Sequence, residues 1–412
     1  MPRAITEAAI AQLKRFLTPA AADNVLVSSL RDRSGGLAGY AAPERAQQLQ
    51  QAELLVQQAI RPAYLRVQQF LERQLPKTND QAGLAWRPEG LPAYAAALRT
   101  NTTTNLSAEE IHAIGLREVV RIEQQMDLLL GKLGYREGPV MARMKTLNLK
   151  LQPTDQPTMR SDLIARYQAI VDDAKTRAQS AFDLQPRGAC VVRREPQVTE
   201  ASAAARYTGP TVDGSRPGVF WVPLPGPTFK IVGMRTLAYH EAIPGHHFQW
   251  ALLVELDSLP AYRRAPVFGW QVAYGEGWAL YAEQLAVELG WYQGDDIGLL
   301  GQLDAQLFRA KRLVADTGIH AMKWSRQQVI DYGIPPHEAD RYVVWPGQAT
   351  GYMIGMLRIL ELREKAKKAL GARFDLKQFH NVVLGSGRMP LDVLETVVND
   401  WIIQQAAKPA AA

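Results

Sequence analysis

The sequence predicts a mainly α-helical protein, with a large helical body and a small β-sheet near a histidine-rich helix. Two patterns predict the class. Apolar residues recur every three to four positions through much of residues 44–182 and again from Thr236 to about Gln405, the period of helices that bury one face. Between them, residues 183–230 gather Gly, Pro and Thr around short β-forming runs, which is how brief strands with irregular connections read. Composition agrees: 412 residues, 47% hydrophobic and 21% charged, carry ample apolar material for a core.

The elements follow in chain order. Met1-Pro2-Arg3 leads into an Ala-rich amphipathic stretch without the apolar region of a secretory signal. As written, the chain reads as cytoplasmic; a trimmed N-terminus would make it periplasmic or secreted. Residues 44–75 read as a helix, with Leu49, Ala52, Leu55, Val56, Ile60, Tyr64, Val67 and Leu71 at helical spacing. Ser107 and Glu110 form a capping box for a helix to about Leu133. Ser161 reads as the cap of another, running to about Phe182. Cys190–Val192 and Gly218–Val222 are the strand candidates. Helices resume at Thr236, and the Ala/Pro-rich tail from Ala406 reads as frayed. The division is therefore an N-terminal helical region, 1–182, and a region 183–412 holding the sheet, the histidine motif and the C-terminal helices, packed as one unit.

Charge and composition exclude several functions. The net charge is +6, but the basic residues are scattered among acids, without the concentrated footprint of a nucleic-acid binder. No apolar run is long enough for a membrane span. One cysteine, Cys190, leaves no disulfide framework and no Cys-rich zinc module. The oligomeric state is not legible.

Chemistry concentrates in Tyr239-His240-Glu241-Ala242-Ile243-Pro244-Gly245-His246-His247, where three of the seven histidines fall within eight residues. Zinc hydrolases place two His one turn apart on a helix, with a Glu beside the first that activates water. Here Pro244 stands where the second His of that pattern belongs. On a straight helix His247 lies only about 20° from His240 in rotation, but about 10 Å further along the axis. Ligands of one zinc need nitrogens roughly 3.5 Å apart. A bulged turn at Pro244-Gly245 shortens that rise and favours His246 as second ligand, with His247 the alternative. The competing reading, a Pro-kinked helix with incidental histidines, leaves the density of ligand-type residues unexplained. Glu276, bracketed by Gly275 and Gly277 before the helical run Trp278–Ala282, is the candidate third ligand. Its bland alternative is a carboxylate that complements a helix N-terminus.

The stretches HEAIPGHH, GEGWALYAE and PGQATGYMIG together resemble the bacterial family named domain of unknown function 885, over roughly residues 40–405. Its members resemble zinc-dependent peptidases of the Glu-zincin type, largely helical around a thermolysin-like site, and are usually longer at the N-terminus. The resemblance implies His240 as first ligand and Glu241 as catalytic base. The run Glu-Gly-x-x-x-Tyr-x-Glu is similar to the downstream motif of zinc aminopeptidases; it implies Glu276 as ligand and Glu283 as a supporting or structural carboxylate. It also implies oxyanion donors, with Tyr352 and His320 preferred and His247 possible. His247, Arg312 and Arg341 are the substrate-binding candidates, and His380 reads rather as a core histidine. Tyr207–Pro210 and the strand 218–222 precede the zinc helix, so an edge strand there would pair with an extended peptide; ordinary sheet is the alternative.

The expected function is a Zn2+-dependent hydrolase that cleaves peptide bonds with metal-activated water and Glu241 as base. A zinc amidase acting on small N-acyl or amino-acid amides is the alternative. From another class comes a non-catalytic helical binding protein with a structural metal site. The expected partner is a peptide or small amide, with no nucleic acid and no membrane span.

Overall fold

In the computed structural model, residues 2–37, 39–200, 203–264, 269 and 271–408 are described. The protein is mainly helical, with one three-stranded sheet. Two helix pairs form its frame. The capping box at Ser107 and Glu110 starts the helix Ala108–Lys132 as expected. That helix lies against Asp296–His320 so closely that a Cβ on Gly115 would stand 2.8 Å from Leu313 Cβ. The second pair, Val272–Glu288 and Gly351–Leu370, crosses at two glycines: a Cβ on Gly277 would meet Gly355 Cα at 2.5 Å. Small residues at a crossing let backbones approach and give the packed pair a fixed geometry. The main apolar core draws side chains from Tyr94 to Trp401, crossing the expected boundary at 182/183.

Several local expectations shift. The helical run over 44–75 extends from Ala42 to Gln74 but contains a π turn, Val56–Ile60, just ahead of Pro62. Pro62 has no N–H to return to the preceding turn, and a widened turn accommodates its ring. Its predicted apolar stripe is not a core face: Val56 is buried, whereas Leu55, Tyr64 and Val67 are exposed. The helix expected to be capped by Ser161 begins two residues earlier, at Met159, and ends at Ala178. Ser161 Oγ donates to the Thr158 carbonyl at 2.6 Å instead of accepting from the first turn. The C-terminal helix runs to Ala407, and residues 409–412 of the expected frayed tail lie outside the described residues.

The sheet is where the sequence placed it. β1 (Cys190–Arg194) pairs parallel with β3 (Gly218–Val222), and β2 (Arg206–Thr208) pairs antiparallel with β3, in the order β1-β3-β2. β3 is central, and four of its five residues are buried, as its near-continuous apolar run requires. Tyr167, on the helix Met159–Ala178, packs edge-on against Phe220. β2 is an edge strand facing the helix that carries His246 and His247.

His380 sits in the core, as its sequence context suggested. Its Nδ1 meets the Ala181 carbonyl at 2.9 Å and its Nε2 the Tyr281 hydroxyl at 2.8 Å. Burial holds its pKa down to about 4, so it is a neutral packing group.

Candidate metal centre

His240 and Glu241 end the helix Met234–Glu241, and His246 opens the next, His246–Glu255. The chain between them does not form a bulge within one helix, as expected, but breaks it. Ala242 leaves the helical region at φ −113° and ψ −99°. A single wide bond, His247 N–H to the Ala242 carbonyl at 3.1 Å, spans the break. Pro244 has no N–H to continue the ladder. Gly245 is pressed against the end of the first helix: a Cβ there would lie 2.0 Å from the His240 carbonyl oxygen and 2.4 Å from that of Tyr239. The Pro244 carbonyl accepts from Trp278 Nε1 at 2.9 Å, which fastens the turn to the helix bearing Glu276.

This break brings the rings of His240 and His246 to a centroid distance of 4.9 Å, nearly perpendicular at 83°. Glu276 Oε2 lies 3.4 Å from His240 Nε2 and 3.2 Å from His246 Nε2. Glu276 stands in the second turn of its helix, not the first, because that helix begins at Val272. Seven residues on, the same helix face carries Glu283, whose Oε1 meets His240 Nδ1 at 2.7 Å. The two carboxylates thus hold the imidazole from both sides. A carboxylate on Nδ1 sets the tautomer and leaves Nε2 to face Glu276 and His246.

Among the described residues, His240, His246 and Glu276 form the group able to hold a metal ion, with one donor atom each inside a 4.8 Å span. The donor set suits zinc. Ligands at about 2.1 Å around a tetrahedral ion stand about 3.4 Å apart, matching the two distances to Glu276. Burial alone disfavours the imidazolium of His240, but hydrogen bonds to Glu276 and Glu283 outweigh it and lift its pKa to about 9. Burial likewise works against ionisation of Glu276, and the His246 and His240 charges overcome it, holding its pKa well below the usual range.

The three donors line a cleft of about 330 Å³ together with Glu241, Tyr352, Arg312, Arg341 and the β2 residues Arg206 and Tyr207. Glu241 is buried at 7% exposure, and desolvation raises its pKa. Arg312 lies between two rings, 4.5 Å from the centroids of Phe308 and Tyr352. Arg341 Nη2 donates to Gln348 Oε1 and, at 3.5 Å, to the Tyr352 hydroxyl.

Two expected site residues are elsewhere. His320 is a core histidine: its Nδ1 accepts from Leu84 N–H at 3.3 Å and its Nε2 meets the Tyr342 carbonyl at 2.9 Å. It follows Arg312 by eight residues, which on a helix is about 12 Å of rise and about 80° of rotation, enough to carry it away from the cleft. His247 also points away. Its Nδ1 meets the Tyr207 hydroxyl at 2.8 Å and its Nε2 the Gly188 carbonyl at 3.2 Å, and burial pushes its pKa down to about 4. Adjacent helical residues diverge by 100°, so His246 and His247 cannot both face Glu276. Sequence reading missed Glu338 and Arg309, which line the cleft. Both had a signal, since each lies one helical turn before a named arginine, Arg341 and Arg312.

A family described as bacterial protein of unknown function (DUF885) matches residues 1–398. The chain belongs to DUF885. Its fold is similar to that of "the putative lipoprotein from Colwellia psychrerythraea", at 38% identity and a TM-score of 0.93, covering 98% of this chain and 71% of that one. A "putative lipoprotein of unknown function from Shewanella oneidensis" shares the fold at 20% identity and a TM-score of 0.69, over 96% of this chain and 72% of that one. No curated protein matches. As in the sequence reading, no helix among the described residues is long and apolar enough to cross a membrane.

For this DUF885 member, the turn at Gly245 makes a sharp test. If His240, His246 and Glu276 hold zinc, as their spacing allows, Gly245→Ala is expected to lower zinc content at least tenfold while circular dichroism stays helical, because the added Cβ must push His246 away from His240. Wild-type zinc content in that variant would show that the close approach does not set the histidine spacing.

Proposed function

We propose that this DUF885 chain is a zinc-dependent metallohydrolase that cleaves peptide bonds. The observation that carries the reading is the convergence of His240 Nε2, His246 Nε2 and Glu276 Oε2 in a cleft also lined by Glu241. His240, His246 and Glu276 would hold one zinc ion, which supplies a Lewis acid that polarises a carbonyl and makes water nucleophilic near neutral pH. Glu241, next to the first histidine and outside the donor trio, accepts the proton of the attacking water and delivers it to the leaving amine. Glu283 keeps the His240 imidazole oriented. The Tyr352 hydroxyl, held near Arg341, donates to the carbonyl oxygen as negative charge develops there. A base beside the donors argues against a purely structural site, which closes with four protein ligands and needs none.

The edge position of β2 favours a peptide over a small amide. Arg206 and Tyr207 of that strand line the cleft, where an extended chain can pair with backbone.

Metal analysis with an activity assay tests the reading. The purified chain should carry about one zinc per molecule and hydrolyse a peptide library read by mass spectrometry. A chelator should abolish cleavage, and added zinc should restore it. Cleavage indifferent to chelator, or a chain that takes up no zinc, would overturn the proposal.

A further inference from the structure

We infer that the cleft captures its substrate by a free C-terminal carboxylate, held by Arg312 and Arg341, so that short fragments are removed from the C-terminal end of peptides. The chemistry rests on the metallopeptidase reading above; the carboxylate site does not.

Arg312 is 6% exposed, and Arg341 is half-buried beside it. A single acid serves both: Glu338 Oε2 lies 2.9 Å from Arg312 Nη2, and Glu338 Oε1 lies 3.2 Å from Arg341 Nη1. The remaining partners are neutral. Arg312 Nε donates to the Tyr342 hydroxyl at 3.0 Å, and Arg341 Nη2 to Gln348 Oε1 and Tyr352.

The other charges in the cleft are engaged elsewhere. Arg206 pairs with Glu195 at 3.2 Å and Arg309 approaches Glu283 at 3.7 Å. Glu276 belongs with the histidines, and Glu241 is the proposed base. Asp316, the other acid near enough to act on Arg341, is buried, spends its Oδ1 on the Tyr94 hydroxyl and Gly347 N–H, and is pushed up in pKa by desolvation, so the Arg312–Arg341 wall holds one positive charge more than its ion-paired acid neutralises. A desolvated excess charge is costly unless an anion joins it. One monoanion completes the balance.

A carboxylate is the anion that fits. With Arg312 Nε and Nη2 and both Arg341 Nη atoms engaged, Arg312 Nη1 and Arg341 Nε are left to donate, one to each oxygen of a carboxylate. Arg312 is already clamped between the Phe308 and Tyr352 rings, so little ordering remains to be done on binding.

Size then places the cut. A cleft of about 330 Å³ is at the small end of ligand sites, which span about 300–1,000 Å³, and an extended peptide advances about 3.3–3.6 Å per residue. With carboxylate and scissile bond both inside, they are separated by roughly one or two residues. Water adds across that amide: hydroxyl joins the acyl carbon, a proton goes to nitrogen, the C–N bond breaks, and the C-terminal fragment leaves as a free amine.

Calorimetry on the full chain, with and without zinc, tests this with acetyl-Ala-Phe and acetyl-Ala-Phe-amide, which differ in the terminal charge. The acid should bind at least tenfold more tightly than the amide in both metal states. Arg341→Met should reduce that preference to under twofold, and Arg341→Lys to an intermediate value. Glu338→Gln should act in the opposite direction and strengthen acid binding, because a competing carboxylate is neutralised. That reversal is not expected of residues with a merely structural role. Equal affinity for acid and amide, no binding of the acid at millimolar concentration, or an undiminished preference in a folded Arg341→Met would overturn the inference. An acid preference in a chain that neither holds zinc nor cleaves peptides would instead retain this site and remove the metallopeptidase reading.

Discussion

On the proposed metallohydrolase reading, Glu241→Gln is expected to keep zinc and lose about 10²–10⁴-fold of amide hydrolysis, the usual contribution of a positioned general base. Glu241 lines the same cleft as the donors but is not one of the three converging atoms, so the amide should leave the metal in place. The substitution conserves shape and removes the basic oxygen. Burial, which raises the Glu241 pKa, also makes a neutral side chain easy to accommodate there. Metal content by mass spectrometry and single-turnover hydrolysis should therefore separate cleanly. Turnover equal to wild type would remove Glu241 from its assigned role.

The second large effect separates neighbours in the chain. His246→Ala should leave the protein without stoichiometric zinc, as should Glu276→Ala, because each deletes one of three donors. His247→Ala should retain zinc. Its cost is structural: the Tyr207 hydroxyl and the Gly188 carbonyl lose their partner, about 1–3 kcal/mol for buried polar groups left unmade. Glu283→Ala falls between, keeping the donors but loosening His240, a change that typically costs 10–100-fold in metal affinity. The readout is zinc affinity by competition with a chromophoric chelator, alongside thermal stability. Loss of zinc in His247→Ala with retention in His246→Ala would reverse the assignment.

Much of the fold was legible because its signals are local. The capping box at Ser107 is a short-range exchange of two hydrogen bonds, and the structure contains both. The β runs at Cys190 and Gly218 formed strands, since a central strand advertises itself by continuous apolar residues. β2 was harder to see: three residues with only Tyr207 partly buried have little pattern to read. The apolar stripe over 44–75 misled for a related reason. Periodicity reports that a face could be buried, not that anything covers it.

The candidate site divides in the same way. Two of the three donors and the accompanying Glu241 were visible in one eight-residue window, and Glu276 in a second motif. Arg312, Asp316 and His320 also recur at four-residue intervals, yet only Arg312 reaches the cleft. Asp316 instead accepts from the Tyr94 hydroxyl at 2.6 Å and from Gly347 N–H at 2.9 Å. Each four-residue step turns a side chain by about 40°, and what lies opposite after two steps depends on helices distant in the chain.

By itself, then, the sequence determined the helical class, the position of the small sheet, and the residues able to make a metal site, because propensity, period and ligand chemistry are properties of a few adjacent residues. Tertiary structure alone decided that the helix breaks at Ala242 rather than bulging, that His246 and not His247 faces Glu276, and that His320 serves the core. Those choices depend on the Gly245 backbone pressing on the His240 carbonyl, on Trp278 holding the Pro244 carbonyl, and on Tyr207 and Gly188 claiming the His247 ring. Each is a contact between segments separated by a helix break or by dozens of residues, and no local pattern encodes which neighbour will arrive.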